Sequence, residues 1–444
     1  MAVVPVSLDT DSCDTAIRGS ILHFTSDPDR SGDACEYLDD GLLILSKGRV
    51  QMLADATDWL DQLPDGCHFY DYRGRMIMPG FIDCHCHYPQ TEMIASHGLQ
   101  LLDWLEQYTF PTEEKFAARD HADRIAAFFC EQMLRNGTTT AGIFASVHPQ
   151  SVDAIFEQAA ERNLRIVAGK VMMDRNAPEA LLDSPESSYR DCSELIRRWH
   201  LNGRGHYAVT PRFAPCSSPA QLEVCGQLLT EHPDLYLQSH VAENRDEVAW
   251  VGELFPDSRS YLDVYDGYGL LGPRAVYAHC IHLDDEDRAR MAESGAAIAF
   301  CPTSNLFLGS GLFSLDAARS REIRVGIATD VGAGTSFNIL QTLNEAYKVC
   351  QLAGERLSVL KAFYLATLGG AEALYLDHCI GNFAVGKEAD FVVLDPGASA
   401  LLQCRMENAS TLEERLFALM MLGDDRCVQA THVMGRRLYS RTAP

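Results

Sequence analysis

Seven apolar, strand-like runs follow one another through the middle of the chain, with amphipathic helical stretches between them: "TTTAGIF", "LRIVAGKVMMD", "HYAVTPRFA", "LYLQSHVAE", "AVYAHCIHL", "AAIAFCPTS" and "VGIATD". An eighth apolar run comes before them and ends in "FIDCHCH", at His85 and His87. Strands that are apolar along their whole length are buried on both faces, as in a parallel sheet covered by helices. Eight strand–helix units in succession predict a TIM (β/α)8 barrel. A doubly wound open sheet is the weaker alternative, because no GxGxxG follows the early strands.

The two ends of the chain differ from the middle. "GLLILSKGRV" near the start, and "GNFAVGKEADFVVLD" and "THVMGRRLY" near the end, predict short strands broken by glycine turns. The expected organisation is a barrel over 79–378, with 1–78 and 379–444 pairing into one small β-sandwich domain. The stretch from Ala177 to Ser188, rich in Pro, Asp and Ser, reads as a loop.

With 444 residues and 47% hydrophobic content, the chain has ample material for a large core. A net charge of -25 argues against nucleic acid or an anionic membrane surface as a partner, since either would repel it. No apolar stretch reaches membrane-spanning length. Fifteen cysteines, an odd number without a CxxC pair, read as reduced thiols in a cytoplasmic protein.

In such a barrel the C-terminal strand ends build the active site. His85 and His87 close the first strand, His240 closes "LYLQSH", His279 sits in "AVYAHC", and Asp330 closes "VGIATD". A buried polar group without a partner costs about 1–3 kcal/mol, so these residues need something to satisfy them. The other histidines read as ordinary core or loop residues. A structural zinc knuckle using Cys84 and Cys86 competes with a catalytic site using the imidazoles alone. Side chains alternate along an extended strand, which predicts that His85 and His87 share one face and that both cysteines point the other way. The catalytic reading is therefore preferred: His85, His87, His240 and Asp330 as ligands of one zinc ion per chain, with iron as an alternative. Such an ion lowers the pKa of bound water from about 16 to about 7. Glu243, three residues past His240, is placed to move protons.

These residues also carry a family likeness. "PGFIDCHCH", "QSHVAEN", "YAHC" and "GIATD", with the end strands "VGKEADFVVLD" and "VMGRR", resemble the amidohydrolase superfamily across nearly the whole chain. "CHCHYPQTEMIASHGLQLLDWLEQYTFPTEEKF" and "TPRFAPCSS" are similar, within it, to the guanine deaminases. The resemblance implies zinc-dependent hydrolysis of guanine to xanthine and ammonia, and a homodimer. It assigns catalytic roles to Glu243, His279 and Asp330, with His279 orienting the attacking water or lying at the edge of the metal. Gln90, Arg212 and Phe213 would hold the purine beside His87 and His240, with Trp104 and Leu105 lining the pocket.

The residue chemistry agrees with that substrate. Arg212 suits a carbonyl, a Gln90 amide both donates and accepts along a purine edge, and Phe213 offers a face for stacking. Other readings remain: a different amidohydrolase, such as a triazine chlorohydrolase or an adenosine-type deaminase, or a non-catalytic barrel used for assembly. The cytidine-deaminase type of zinc enzyme is excluded, because "PCSS" does not continue into the P-C-x-x-C that it needs.

Overall fold

The computed structural model describes residues 13–98 and 100–441. Two sheets organise the chain. The first begins with β1 (Thr15–Phe24), β2 (Cys35–Ser46), β3 (Arg49–Asp55) and β4 (His68–Pro79). β2 and β3 meet at a tight turn where Lys47 and Gly48 take φ of 50° and 75°, the left-handed pair expected of a Lys-Gly turn. Chain direction then carries straight on from β4 into the barrel.

The barrel comprises β5 (Phe81–His87), β6 (Thr138–Phe144), β7 (Arg165–Gly169), the two-residue β8 (Val171–Met172), β9 (Gly205–Pro211), β10 (Tyr236–Val241), β11 (Ala275–His279), β12 (Ala297–Phe300) and β13 (Arg324–Ile327). All pair in parallel in the order β13-β12-β11-β10-β9-β7-β6-β5, with β8 alongside β9. Hydrogen bonds from Asp330 N to His85 O (3.0 Å) and from His87 N to Val331 O (2.6 Å) join the segment beyond β13 back to β5. The eight-stranded barrel expected from the apolar runs is the fold observed. Its outer layer is a continuous apolar shell between strands and helices. The helix Arg119–Arg135, for example, turns Ile125, Ala126, Phe129 and Met133 inward.

After the barrel, β14 (Phe391–Leu394), β15 (Val428–Val433) and β16 (Arg436–Ser440) complete the first sheet, giving the order β16-β15-β14-β4-β1-β2-β3. That sheet bends back on itself: Val50 N donates to Lys387 O, and Ala389 N to Gly48 O, each at 2.8 Å. Ile17, Leu43, Val50, Ile77, Phe391 and Val393 fill the space it encloses. Both chain ends thus build the small domain, as the end strands suggested.

Three local expectations need correction. The stretch from Ala177 to Ser188 is not all loop, because Ser184 caps a helix over Pro185–Trp199 through a reciprocal bond with Ser187. Asp330 does not close β13. The strand stops at Ile327, and Asp330 lies three residues on with φ of 50°. Strict alternation along β5 also fails, since a bulge between Asp83 and Cys86 inserts an extra residue. Cys84 therefore packs with Ile82, Ala299 and Ala328, whereas Cys86 packs in the outer layer. Both cysteines still leave the site to the imidazoles.

Where the two domains meet, Glu388 accepts from Arg165 Nη2 (2.7 Å) and Arg204 Nη2 (2.8 Å), and Arg204 also pairs with Asp390. All four side chains are buried. Removing one member of such a cluster leaves an uncompensated charge in the interior, at a cost of about 3–5 kcal/mol. Glu388→Gln is expected to lower unfolding free energy by that amount in urea titration while leaving the metal content of the folded protein unchanged.

Candidate active site

Three segments far apart in sequence bring three imidazoles and a carboxylate to one point. His87 Nε2 stands 3.1 Å from His85 Nε2 and 3.1 Å from His240 Nε2. Asp330 Oδ1 completes the group, 3.3 Å from His85 Nε2 and 3.4 Å from His87 Nε2. Ligands bound tetrahedrally at about 2.0–2.1 Å lie on edges of about 3.3 Å, so this spacing is that of a coordination shell. Three nitrogens and one carboxylate oxygen are also the donor chemistry a divalent cation takes. The ring of Phe144, at the end of β6, lies against His85, His87 and His240 with centroid separations of 4.7–4.8 Å and closes the group on one side.

Local structure aims the donors. The Arg212 carbonyl lies 2.7 Å from His240 Nδ1. A carbonyl only accepts, so Nδ1 carries the proton and the Nε2 lone pair faces the group. Asp83 acts on the backbone: its carboxylate accepts from His85 N (3.3 Å) and Thr329 N (2.9 Å), and also from the Thr329 hydroxyl. This latch ties the chain just before Asp330 to the strand that carries the first two histidines. An acidic residue inside the apolar run "FIDCHCH" was the sequence signal for it.

Burial sets the charges. It holds His85, His87 and His240 below the usual imidazole range, His87 at about 4, and so favours the neutral, ligating form. Burial also pushes the Asp330 carboxyl up, but hydrogen bonds with His85 and His87 outweigh it and keep the group well below the ordinary carboxylate range. Glu243 goes the other way. Burial, reinforced by the Asp330 charge, pushes it up to about 8. Its Oε1 accepts from Ser310 Oγ at 3.1 Å, and its Oε2 lies 3.3 Å from His279 Nε2.

His279 lies beside the coordination group, with Nε2 3.8 Å from Asp330 Oδ2. Its Nδ1 meets the Asn305 side chain at 2.9 Å, which turns Nε2 toward Glu243. His279 is thus a buried imidazole between two carboxylates at the edge of the group, where one of its ring nitrogens lies within 4.8 Å of donor atoms on His85 and His240.

A cavity opens directly beside these groups. His87, His240, Glu243, His279 and Asp330 form its polar end, Gln90 and Arg212 one edge, and Phe213, Trp104, Leu105, Leu101 and Leu308 its apolar walls. Every residue named in the sequence reading as a ligand, proton carrier or purine contact is therefore buried at this one place, and all of them except His85 line the cavity. Sequence reasoning did not single out Glu113, Asn305, Ser310 or Phe144. Only Phe144, at a strand end, carried any sequence signal.

Comparison with known proteins agrees with the geometry. Residues 76–438 match the amidohydrolase family. A guanine deaminase of Escherichia coli strain K12 is 54% identical over 96% of this chain and 98% of its own length. Among solved structures, E. coli guanine deaminase superimposes with a TM-score of 0.95 at 53% identity, covering 96% of this chain and 100% of that one. A guanine deaminase from C. acetobutylicum with guanine bound in its active site superimposes with a TM-score of 0.86 at 29% identity, covering 96% and 100%. The chain belongs to the amidohydrolase family. Its near relatives are guanine deaminases, so the likeness read from the motifs is borne out.

The Asp83 latch gives a test of how the shell is held. Loss of groups that orient metal ligands typically costs about 10–100-fold in metal affinity. Asp83→Ala is expected to weaken zinc binding within that range, measured by competition with a chromogenic chelator.

Proposed function

We propose that this protein hydrolyses guanine to xanthine and ammonia, a step of purine breakdown, using one zinc ion per chain held by His85, His87, His240 and Asp330. The observation that carries this reading is the junction of the coordination group with a cavity that Gln90, Arg212 and Phe213 also line. High identity to guanine deaminases over almost the full length supports the substrate. The His3Asp donor set supports zinc, which when bound would acidify a water for attack at neutral pH.

The chain's own residues then divide the work. Arg212 donates toward the purine carbonyl and Gln90 reads the adjacent edge, while Phe213 lies against the ring. These contacts direct C2 and its amino group at Glu243. With its carboxyl poised near neutrality, Glu243 takes a proton from water and delivers it to ring N3 as oxygen adds to C2. It then moves the remaining hydroxyl proton to the amine. The C2–N bond breaks, ammonia leaves and the C2 carbonyl forms. His279 holds the oxygen throughout, and Asp330 remains ionised beside it. Two carboxylates driven apart by their surroundings thus take two roles.

A homodimer, supported by the family resemblance, and a cytoplasmic setting, supported by fifteen cysteines none of which is in a disulfide, belong to the same reading. Among the described residues no helix is long and apolar enough to cross a membrane.

Xanthine and ammonia should appear from guanine in equal amounts, and prior treatment with a chelator should abolish both. Glu243→Gln is expected to keep its zinc and lose about 10²–10⁴-fold in kcat, as befits a positioned proton carrier. Near-normal kcat in that variant would remove Glu243 from the chemistry. Arg212→Ala should reduce kcat/KM for guanine, and an unchanged value would take Arg212 out of the pocket.

A further inference from the structure

Behind the purine edge of the cavity lies a carboxylate with no contact to solvent. Glu113, in the short helix Phe110–Glu113, has 0% exposure. Its Oε2 accepts from Arg212 Nη1 at 2.8 Å, and its Oε1 from Gln90 Nε2 at 3.0 Å. On the far side of the amide, Gly332 N donates to Gln90 Oε1 at 3.3 Å. The Arg212 guanidinium also lies 5.5 Å from the centre of the Phe110 ring, one helical turn from Glu113. One short element thus grips both groups assigned to the purine edge.

We infer that Glu113 is a positioning residue that sets the hydrogen-bond polarity of the cavity edge and thereby selects a purine with a carbonyl, rather than an amine, at C6. This inference rests on the guanine reading and deepens it. The argument is one of donors and acceptors. An amide can turn over and present either end, but an ionised carboxylate only accepts. Glu113 therefore obliges Gln90 to face it with nitrogen, and Gly332 N–H fixes the oxygen at the other side. Arg212, paired through one nitrogen, keeps its remaining N–H groups as donors and has no acceptor to offer. An edge dominated by donors accepts a carbonyl oxygen and leaves a 6-amino group facing N–H against N–H. Without the carboxylate, the Gln90 amide is free to turn and Arg212 loses the charge that orients it.

The test compares guanine with 2,6-diaminopurine, which carries the same 2-amino leaving group and an amine in place of the C6 carbonyl. The zinc-loaded wild type is expected to favour guanine in kcat/KM by at least about a hundredfold, since sites built around a substrate's polar group reject analogues strongly. Glu113→Gln should lower kcat/KM for guanine by about 50-fold or more and reduce the guanine preference by about tenfold or more, with zinc content unchanged. A loss shared equally by both substrates, in a folded and zinc-replete variant, would overturn the inference and leave Glu113 a structural ion pair. Should Glu113→Gln not fold, Glu113→Asp decides. It keeps the charge but draws the oxygens back from both partners, and a preference reduced about threefold or more supports the inference, whereas an unchanged one refutes it. If the wild type itself fails to deaminate guanine, the proposed function fails instead, which is a separate result.

Discussion

Packing three imidazole nitrogens and a carboxylate oxygen around one point in the interior, with His87 Nε2 3.1–3.4 Å from each of the other three, is the constraint around which the rest of the barrel is arranged. Such a group is costly unless a cation sits within it, because buried polar atoms need partners and these face one another. Everything that brings them together belongs to the scaffold. β5 delivers two histidines and β10 a third, the turn beyond β13 supplies Asp330, and Asp83 binds the first of these to the last. Parallel strands place all those ends on one rim, and the apolar shell outside keeps the rim from relaxing.

From that cluster the electrostatics of the neighbouring groups follow. Asp330 is held ionised by its hydrogen bonds with His85 and His87. Glu243 is pushed up to about 8 by its burial, with the Asp330 charge adding to the shift. The same negative charge that would anchor a cation thus tunes the proton carrier beside it. Arg212 links the two halves of the site differently: its carbonyl fixes the tautomer of His240 while its guanidinium turns toward the cavity. A shift in that one residue would disturb both the metal shell and substrate recognition.

The sequence made some of this legible and left the rest to tertiary structure. Apolar runs ending in histidine announced the barrel, its rim and the shell, because continuous burial of a strand and a polar residue at its end are both local signals. The HxH spacing pointed to the right pair of side chains even though strict alternation does not hold, because the bulge at Asp83–Cys86 adds a residue that the spacing argument could not foresee. Asp330 was visible as a residue but not as a left-handed position beyond the strand. Glu113 was invisible: it sits in "YTFPTEEKF" among other acidic residues, and only the folded chain shows that it meets Gln90 and Arg212 while Glu114 does not. Asn305 and Ser310 were hidden for the same reason, since their roles exist only through what they touch.

The most direct measurement is anomalous diffraction from crystals of the zinc-loaded protein, collected on both sides of the zinc absorption edge. A single peak per chain is expected, at about 2.0–2.1 Å from Nε2 of His85, His87 and His240 and at about 2.0–2.2 Å from a carboxylate oxygen of Asp330. A peak held by other residues, or none between these four side chains, would contradict the account.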